Sequence, residues 1–255
     1  MKNLLHRFLV GCGLIAPACV APQQNSEKAN TPSSGTDGQG ALPDADLRAD
    51  LRAVVWGEVR LNQLASDQIV EKAREIYLVD QCPPELEPGY VDYLQEQIQL
   101  ATETLSQEQA DWPAETDCDR LDAVEAELRE KGILFWQVSP CCMSCSWGDV
   151  PLRIDFIESR FPGFRARIRG AAFFYDQSLA EELADNDEIT LALAYGQYSQ
   201  DEQPISEEAE ERESVAIGHE VVSCLKRHRL KPEWTGNFDR KILVPVRWQR
   251  RTIVE

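Results

Sequence analysis

Histidine is nearly absent from this 255-residue chain, in which His6, His219 and His228 are the only three. That scarcity works against a histidine-based nucleophile triad and against a histidine-rich metal centre, both of which need further groups at matched positions. Basic residues are also scarce, 26 Lys and Arg against 44 Asp and Glu, for a formal charge of −18. Phosphate backbones and anionic bilayers are held by neutralising cations, so generic nucleic-acid or membrane-surface binding is disfavoured. The sequence has no glycine-rich phosphate loop and no paired acid/base motif, which points away from the commoner catalytic classes. Long apolar runs are missing too. The one from Phe8 to Val20 is interrupted by Gly11, Gly13 and Pro17 and is too short to span a bilayer.

That run follows Lys2 and Arg7, which is the pattern of an export signal, and residues 1–18 are read as one. Ala16-Pro17-Ala18 fits an ordinary signal peptidase, while Cys19 offers a site for a lipid anchor. Residues 19–44 are rich in Gln, Ser, Gly, Asn and Pro and read as a tether that cannot bury a core. The expectation is therefore a cell-envelope protein, anchored through Cys19. Its partner would be another protein or an anionic small molecule, with the membrane touched only by the lipid.

Residues 45–116 carry apolar positions at helical spacing: Leu51, Val54, Val55 and Val59, then Ile69, Ala73, Ile76 and Tyr77, then Tyr93, Ile98 and Leu105. They predict a small helical bundle. From residue 117 to 255 helices and strands alternate. The predicted order is a helix over 119–131, a strand over 133–138, a helix near 149–161 capped by Asp149, a strand over 164–175 and a short helix over 178–184. A strand over 189–195, a helix over 213–229, and strands over 231–234 and 241–248 complete it. Setting the short helix aside, this is the βαββαβ order of a ferredoxin-like α+β sandwich with one further C-terminal strand. Pro245 cannot donate to a ladder, so the last strand should lie at an edge or carry a bulge.

Cysteine is the richest source of chemistry. With residues 1–19 set aside, Cys82, Cys118, Cys141, Cys142, Cys145 and Cys224 remain, and three of them crowd behind the first strand. Three readings stay open. Cys118 could bridge to one of Cys141, Cys142 and Cys145 in a structural disulfide, as an oxidising envelope favours. The same four thiols could hold zinc, although no other cofactor is indicated. Cys142 and Cys145 could form a redox pair, placed between a strand and a helix as in thioredoxin-type proteins. Cys224 lies on an apolar helical stripe and reads as a buried small hydrophobe. The structural bridge is preferred, and with it a non-catalytic binding or interaction module; thiol–disulfide or zinc-dependent chemistry at the cysteine turn is the alternative.

Several segments together resemble a bacterial family built on a domain of unknown function. They are Thr116-Asp117-Cys118-Asp119-Arg120-Leu121, Cys141-Cys142-x-x-Cys145, Gly170 to Gln177, Val215-x-Ile217-Gly218, Glu233-Trp234-x-Gly236 and Arg247-Trp248-x-Arg250-Arg251. The resemblance covers residues 45–251 and implies a shared fold, not an activity. Two departures stand out: Ser146 replaces a glycine after the last cysteine, and Tyr175-Asp176-Gln177-Ser178 replaces a segment carrying a histidine and a further acid.

Charge is unevenly placed. Residues 176–213 hold thirteen acids against Arg212, and residues 226–251 hold nine bases against Glu233 and Asp239. Arg165, Arg167 and Arg169 alternate with apolar residues, which on a strand would set three guanidiniums on one face. Joined by Arg247, Arg250 and Arg251, they are the candidate anion-binding residues.

Overall fold

The computed structural model describes residues 42–140, 142–175, 179–199 and 206–251. The segment expected to be an export signal, most of the expected tether, Cys19, Cys141 and residues 176–178 lie outside the described residues.

The N-terminal layer is helical. Helix α1 (Ala45–Leu61) opens with the Asp44 carboxylate accepting from the Asp46 and Leu47 N–H groups, and closes at Asn62 in the left-handed region. Helix α2 starts at Ser66 and runs through a π-turn, Arg74–Leu78, to Gln81, and α3 spans Glu87–Glu108. Leu47, Leu51, Val55, Ile69, Leu78, Tyr90, Leu94 and Ile98 form their shared core.

Helix α4 (Asp117–Glu130) is set by a capping box. The Thr116 N–H donates to Asp119 Oδ2 at 2.8 Å, and the Asp119 N–H donates to Thr116 Oγ1 at 3.2 Å, so two helix-end donors are satisfied at once. The chain then turns at Gly132 (φ +72), where a Cβ would stand 2.1 Å from the Arg167 carbonyl oxygen. The remaining elements are β1 (Ile133–Ser139), α5 (Met143–Arg160), β2 (Gly170–Tyr175), α6 (Leu179–Leu183), β3 (Glu188–Gln197), α7 (Glu207–Arg227) and β4 (Ile242–Arg247).

The four strands form one mixed sheet in the order β1-β2-β3-β4, with β1 parallel to β2 and the other pairs antiparallel. The α+β class is as expected, but the sheet is not split as a ferredoxin-like one would be, because β1 and β2 are direct neighbours. The strand expected over 231–234 is a single bridge, Glu233 to Leu243. Pro245 sits on edge strand β4 opposite Thr190.

Side chains alternate across the sheet. Leu134, Trp136, Ala171 and Phe173 pack with Val150, Ile154 and Ile157 of α5 on one face. Phe135, Ala172, Phe174, Leu191 and Leu193 pack with Leu121, Val124 and Leu128 of α4 and Ile217, Val221 and Leu225 of α7 on the other. The helical layer joins at α6, where Gly57 of α1 approaches so closely that a Cβ would lie 1.8 Å from the Ala180 carbonyl oxygen. Trp248, 2 % exposed, fastens the far end by donating its indole N–H to the Arg60 carbonyl at 2.9 Å.

Two expected boundaries move. Helix α7 begins at residue 207, not 213, because Ser206 caps it and Glu207, Glu208 and Glu210 fill its first turn, where the helix dipole favours acids. Strand β2 begins at Gly170, and residues 165–167 form a 3-10 turn.

Candidate functional site

Strand β1 does not end regularly. Its pairing passes from Trp136 opposite Phe173 to Ser139 opposite Tyr175, so one extra residue is bulged out, and Val138 within that step has φ of 50°. A β-branched residue in the left-handed region is strained, and bulges commonly re-aim the chain beside functional sites. Here the bulge delivers the chain through Pro140 into the start of α5. The helix begins at Met143, six residues before the expected Asp149 cap.

Cys142 occupies the N-cap position of α5 in extended conformation (φ −125°, ψ 174°) without a side-chain cap hydrogen bond, and Cys145 lies in the first turn. Their sulfurs are 3.6 Å apart. A disulfide requires about 2.05 Å, so a closure of roughly 1.5 Å would bond them. Cys142 is half-buried and Cys145 exposed. The helix N-terminus offers unsatisfied N–H groups and a positive dipole end, which stabilise a thiolate.

Beneath the two thiols lies a buried pair of hydroxyls. Ser139 and Ser146 are fully buried, their Oγ atoms are 2.7 Å apart, Ser139 Oγ lies 3.2 Å from the Phe174 carbonyl and Ser146 Oγ lies 2.8 Å from the Cys142 carbonyl. With the Pro140 carbonyl 3.4 Å from Ser146 Oγ, two hydroxyl protons serve four contacts. The arrangement pins the start of α5 to the ends of β1 and β2. Trp147 packs edge-on against Phe173, with ring centroids 5.0 Å apart, and covers the adjoining sheet face. Lys241, just ahead of β4, donates to Tyr175 Oη at 2.5 Å at the end of β2.

A family model described as a domain of unknown function, DUF6891, matches residues 44–252. The chain belongs to the DUF6891 family. No curated protein and no solved structure matches it.

Within the described residues of this DUF6891 domain, Cys118 is bridged to neither Cys142 nor Cys145. No two cysteine sulfurs among the described residues are at disulfide distance. Cys118, the preferred bridging residue, is buried at the first turn of α4, where its thiol is pushed up to about 12 by burial despite Arg250 nearby and a hydrogen bond from the Gln249 backbone. Among the described residues no third metal-binding side chain joins Cys142 and Cys145. Cys141 lies outside the described residues.

The six candidate arginines of the DUF6891 domain do not converge. Arg165 and Arg167 sit on the 3-10 turn, Arg165 paired with Asp155 and Arg167 donating to the Gly163 carbonyl. Arg169 makes a two-pronged pair with Glu220 at 2.7 Å for each contact and donates to the Lys131 carbonyl, just before β1. The alternating face expected for these three does not exist, because the chain there is a turn. Arg247 pairs with Asp187 and Glu188. Arg250 reaches Asp122 and Gln137, and Arg251 reaches Asp119 and the Pro113 carbonyl. From Lys131 to Gln137 is about 20 Å along an extended chain, so Arg169 and Arg250 serve opposite ends of β1.

A second cluster of donors had gone unread in the sequence. Glu127 of α4, Cys224 of α7 and His228 at the C-cap of α7 bring a carboxylate oxygen, a sulfur and an imidazole nitrogen within 4.8 Å of one another. His228 Nε2 is 2.9 Å from Glu127 Oε2, while Lys131 Nζ at 2.6 Å and Arg227 both donate to Glu127 Oε1. Those two cations hold the Glu127 carboxyl far below the usual carboxylate range. Cys224 is pushed up to about 11, first by burial and then by the Glu127 charge. The available signal was the four-residue spacing of Cys224 and His228, which places both on one helix face.

Proposed function

We propose that the DUF6891 domain carries out thiol–disulfide exchange through Cys142 and Cys145. The observation that carries this reading is the 3.6 Å separation of the two sulfurs at the N-terminus of α5, behind a bulged strand and over the Ser139–Ser146 hydroxyl pair. Cys142, at the N-cap position, is the attacking thiolate. It displaces one sulfur from a partner disulfide, giving a mixed disulfide and a thiolate that takes up a proton. Cys145, as thiolate, then attacks Cys142 sulfur and releases the second partner thiol. Two electrons and two protons pass to the partner, and the domain is left with a Cys142–Cys145 disulfide. The reverse reaction inserts a disulfide into a reduced partner.

The sequence features of residues 1–18 and Cys19 support a place in the cell envelope, where partner disulfides form and persist. A purely structural cysteine turn draws no support from Cys118, whose buried thiol is committed to the Gln249 backbone.

The test is equilibration of the protein in glutathione buffers of stepped potential, with the disulfide state read by intact mass after alkylation. A two-electron transition is expected, with a tenfold change in the thiol/disulfide ratio for about every 30 mV. Cys145→Ser should trap a mixed disulfide on Cys142. Failure of Cys142 and Cys145 to oxidise together would sink the reading.

A further inference from the structure

We infer that Glu127, Cys224 and His228 form a zinc(II) site between α4 and α7, independent of the Cys142–Cys145 pair. The three donors come together within 4.8 Å, so side-chain adjustments of about 1 Å bring them to the roughly 3.3–3.8 Å separations of ligands around one tetrahedral ion at about 2.0–2.3 Å. Thiolate, imidazole and carboxylate are the donor types zinc takes, and three protein ligands leave a fourth position for water. Glu127 is already divided between two tasks. Its Oε1 is held by Lys131 and Arg227, while Oε2 faces His228. The carboxylate therefore ligates through Oε2 and keeps Lys131 and Arg227 as outer partners, the support that ligating carboxylates usually receive.

Charge is consistent with this assignment. A glutamate, a thiolate and a neutral imidazole bring two negative charges that match a divalent cation, while Lys131 and Arg227 stay on the outer oxygen of Glu127. The Cys224 thiol loses its proton on binding, so zinc uptake releases protons. Entry is open on one side. Cys224 is fully buried, but the side chains of His228 and Glu127 are each 27 % exposed, so an ion reaches the sulfur past the imidazole and carboxylate. The sheet separates this cluster, on the α4/α7 face, from the start of α5 on the other.

The experiment uses the full chain with Cys12→Ser, Cys19→Ser, Cys82→Ser, Cys141→Ser, Cys142→Ser and Cys145→Ser, which leaves Cys118 and Cys224 and removes the dithiol. Cobalt(II) is titrated into the reduced protein and then displaced with zinc(II). One equivalent of cobalt should give a near-ultraviolet sulfur-to-metal charge-transfer band that zinc abolishes. Adding Cys224→Ser should remove the band, whereas adding Cys118→Ser should keep it. Because Cys224 is in the core, His228→Ala supplies the second variant; it should weaken cobalt binding about tenfold or more with the circular dichroism unchanged. No band in the parent, a band surviving Cys224→Ser, or unaltered affinity in folded His228→Ala would each overturn the site. None of these outcomes bears on Cys142 and Cys145.

Discussion

The hydroxyl pair beneath the dithiol makes a quantitative prediction. Ser139→Ala removes a fully buried group that lies 2.7 Å from Ser146 Oγ and 3.2 Å from the Phe174 carbonyl. The carbonyl loses this donor, and Ser146 keeps the Cys142 and Pro140 carbonyls. A net hydrogen bond is worth about 0.5–1.5 kcal/mol and a buried group left unsatisfied costs about 1–3 kcal/mol, so the expected loss is about 2 kcal/mol. Ser146→Ala should cost less, about 1 kcal/mol, because the Cys142 carbonyl still accepts the Ser146 backbone N–H at 2.9 Å. Once one hydroxyl is gone, the contact between them cannot be lost again. The double variant should therefore lose about 2 kcal/mol rather than 3, a coupling of about 1 kcal/mol. Urea unfolding of the four proteins, compared at equal slopes, measures this cycle. Additivity within about 0.3 kcal/mol would show that the two hydroxyls do not share their protons, and the pin would have to be discarded.

Three further perturbations test other parts of the structure. Gly57→Ala should gain about 1 kcal/mol from helix propensity alone, yet the added Cβ would collide with the Ala180 carbonyl; a net loss of about 2 kcal/mol or more in thermal unfolding is expected, and any gain in stability would refute the close approach of α1 and α6. Glu127 has its carboxyl held down by Arg227 and Lys131, so its stabilisation is fully present above the ordinary value of 4.5 and is lost as pH falls through the acid range. Glu127→Gln should then cost about 1 kcal/mol at neutral pH, and its gap to the parent should narrow below pH 4.5; a constant gap across that range would count against the pairing. Val138→Gly removes a half-buried side chain but relieves a φ of 50°, so unfolding measurements should show a cost below about 0.5 kcal/mol. A loss approaching 2 kcal/mol would mean the bulge is not strained.

The alternating helix and strand pattern after residue 117 was legible because each element has a strong period, and Pro245 narrowed β4 to an edge or a bulge, of which the sheet order shows the edge. The sheet order was not legible, since nothing in local pattern says whether β2 docks beside β1 or one strand away. The start of α5 was misread because Gly148 and Pro151 look like breakers and Asp149 like a cap, while a cysteine carries no cap signal. The arginines misled for a different reason. Sequence shows a charge but not its partner, and Asp117, Asp119 and Asp122 of α4 contact the segment from Arg247 to Arg251, more than a hundred residues away. The acid-rich opening of α4 and the basic chain end are thus two halves of one internal clasp. Glu127 escaped notice likewise, being 101 residues from the histidine it meets.

That clasp bears on how the two proposed chemistries relate. Cys118 receives the Gln249 N–H inside it, and Trp248 carries it on to Arg60 of α1, so the α4 face of the sheet is fastened independently of α5. Residues separated by more than about 7–10 Å with no shared partner act additively. Zinc at Glu127, Cys224 and His228 would tie α4 to α7 on that fastened face, while the dithiol opens and closes against the hydroxyl pin on the other. A redox midpoint for Cys142 and Cys145 that is unchanged by Cys224→Ser is the expected outcome. A shift in that midpoint would mean that the sheet transmits strain between its faces, and the two sites would have to be treated as one coupled system.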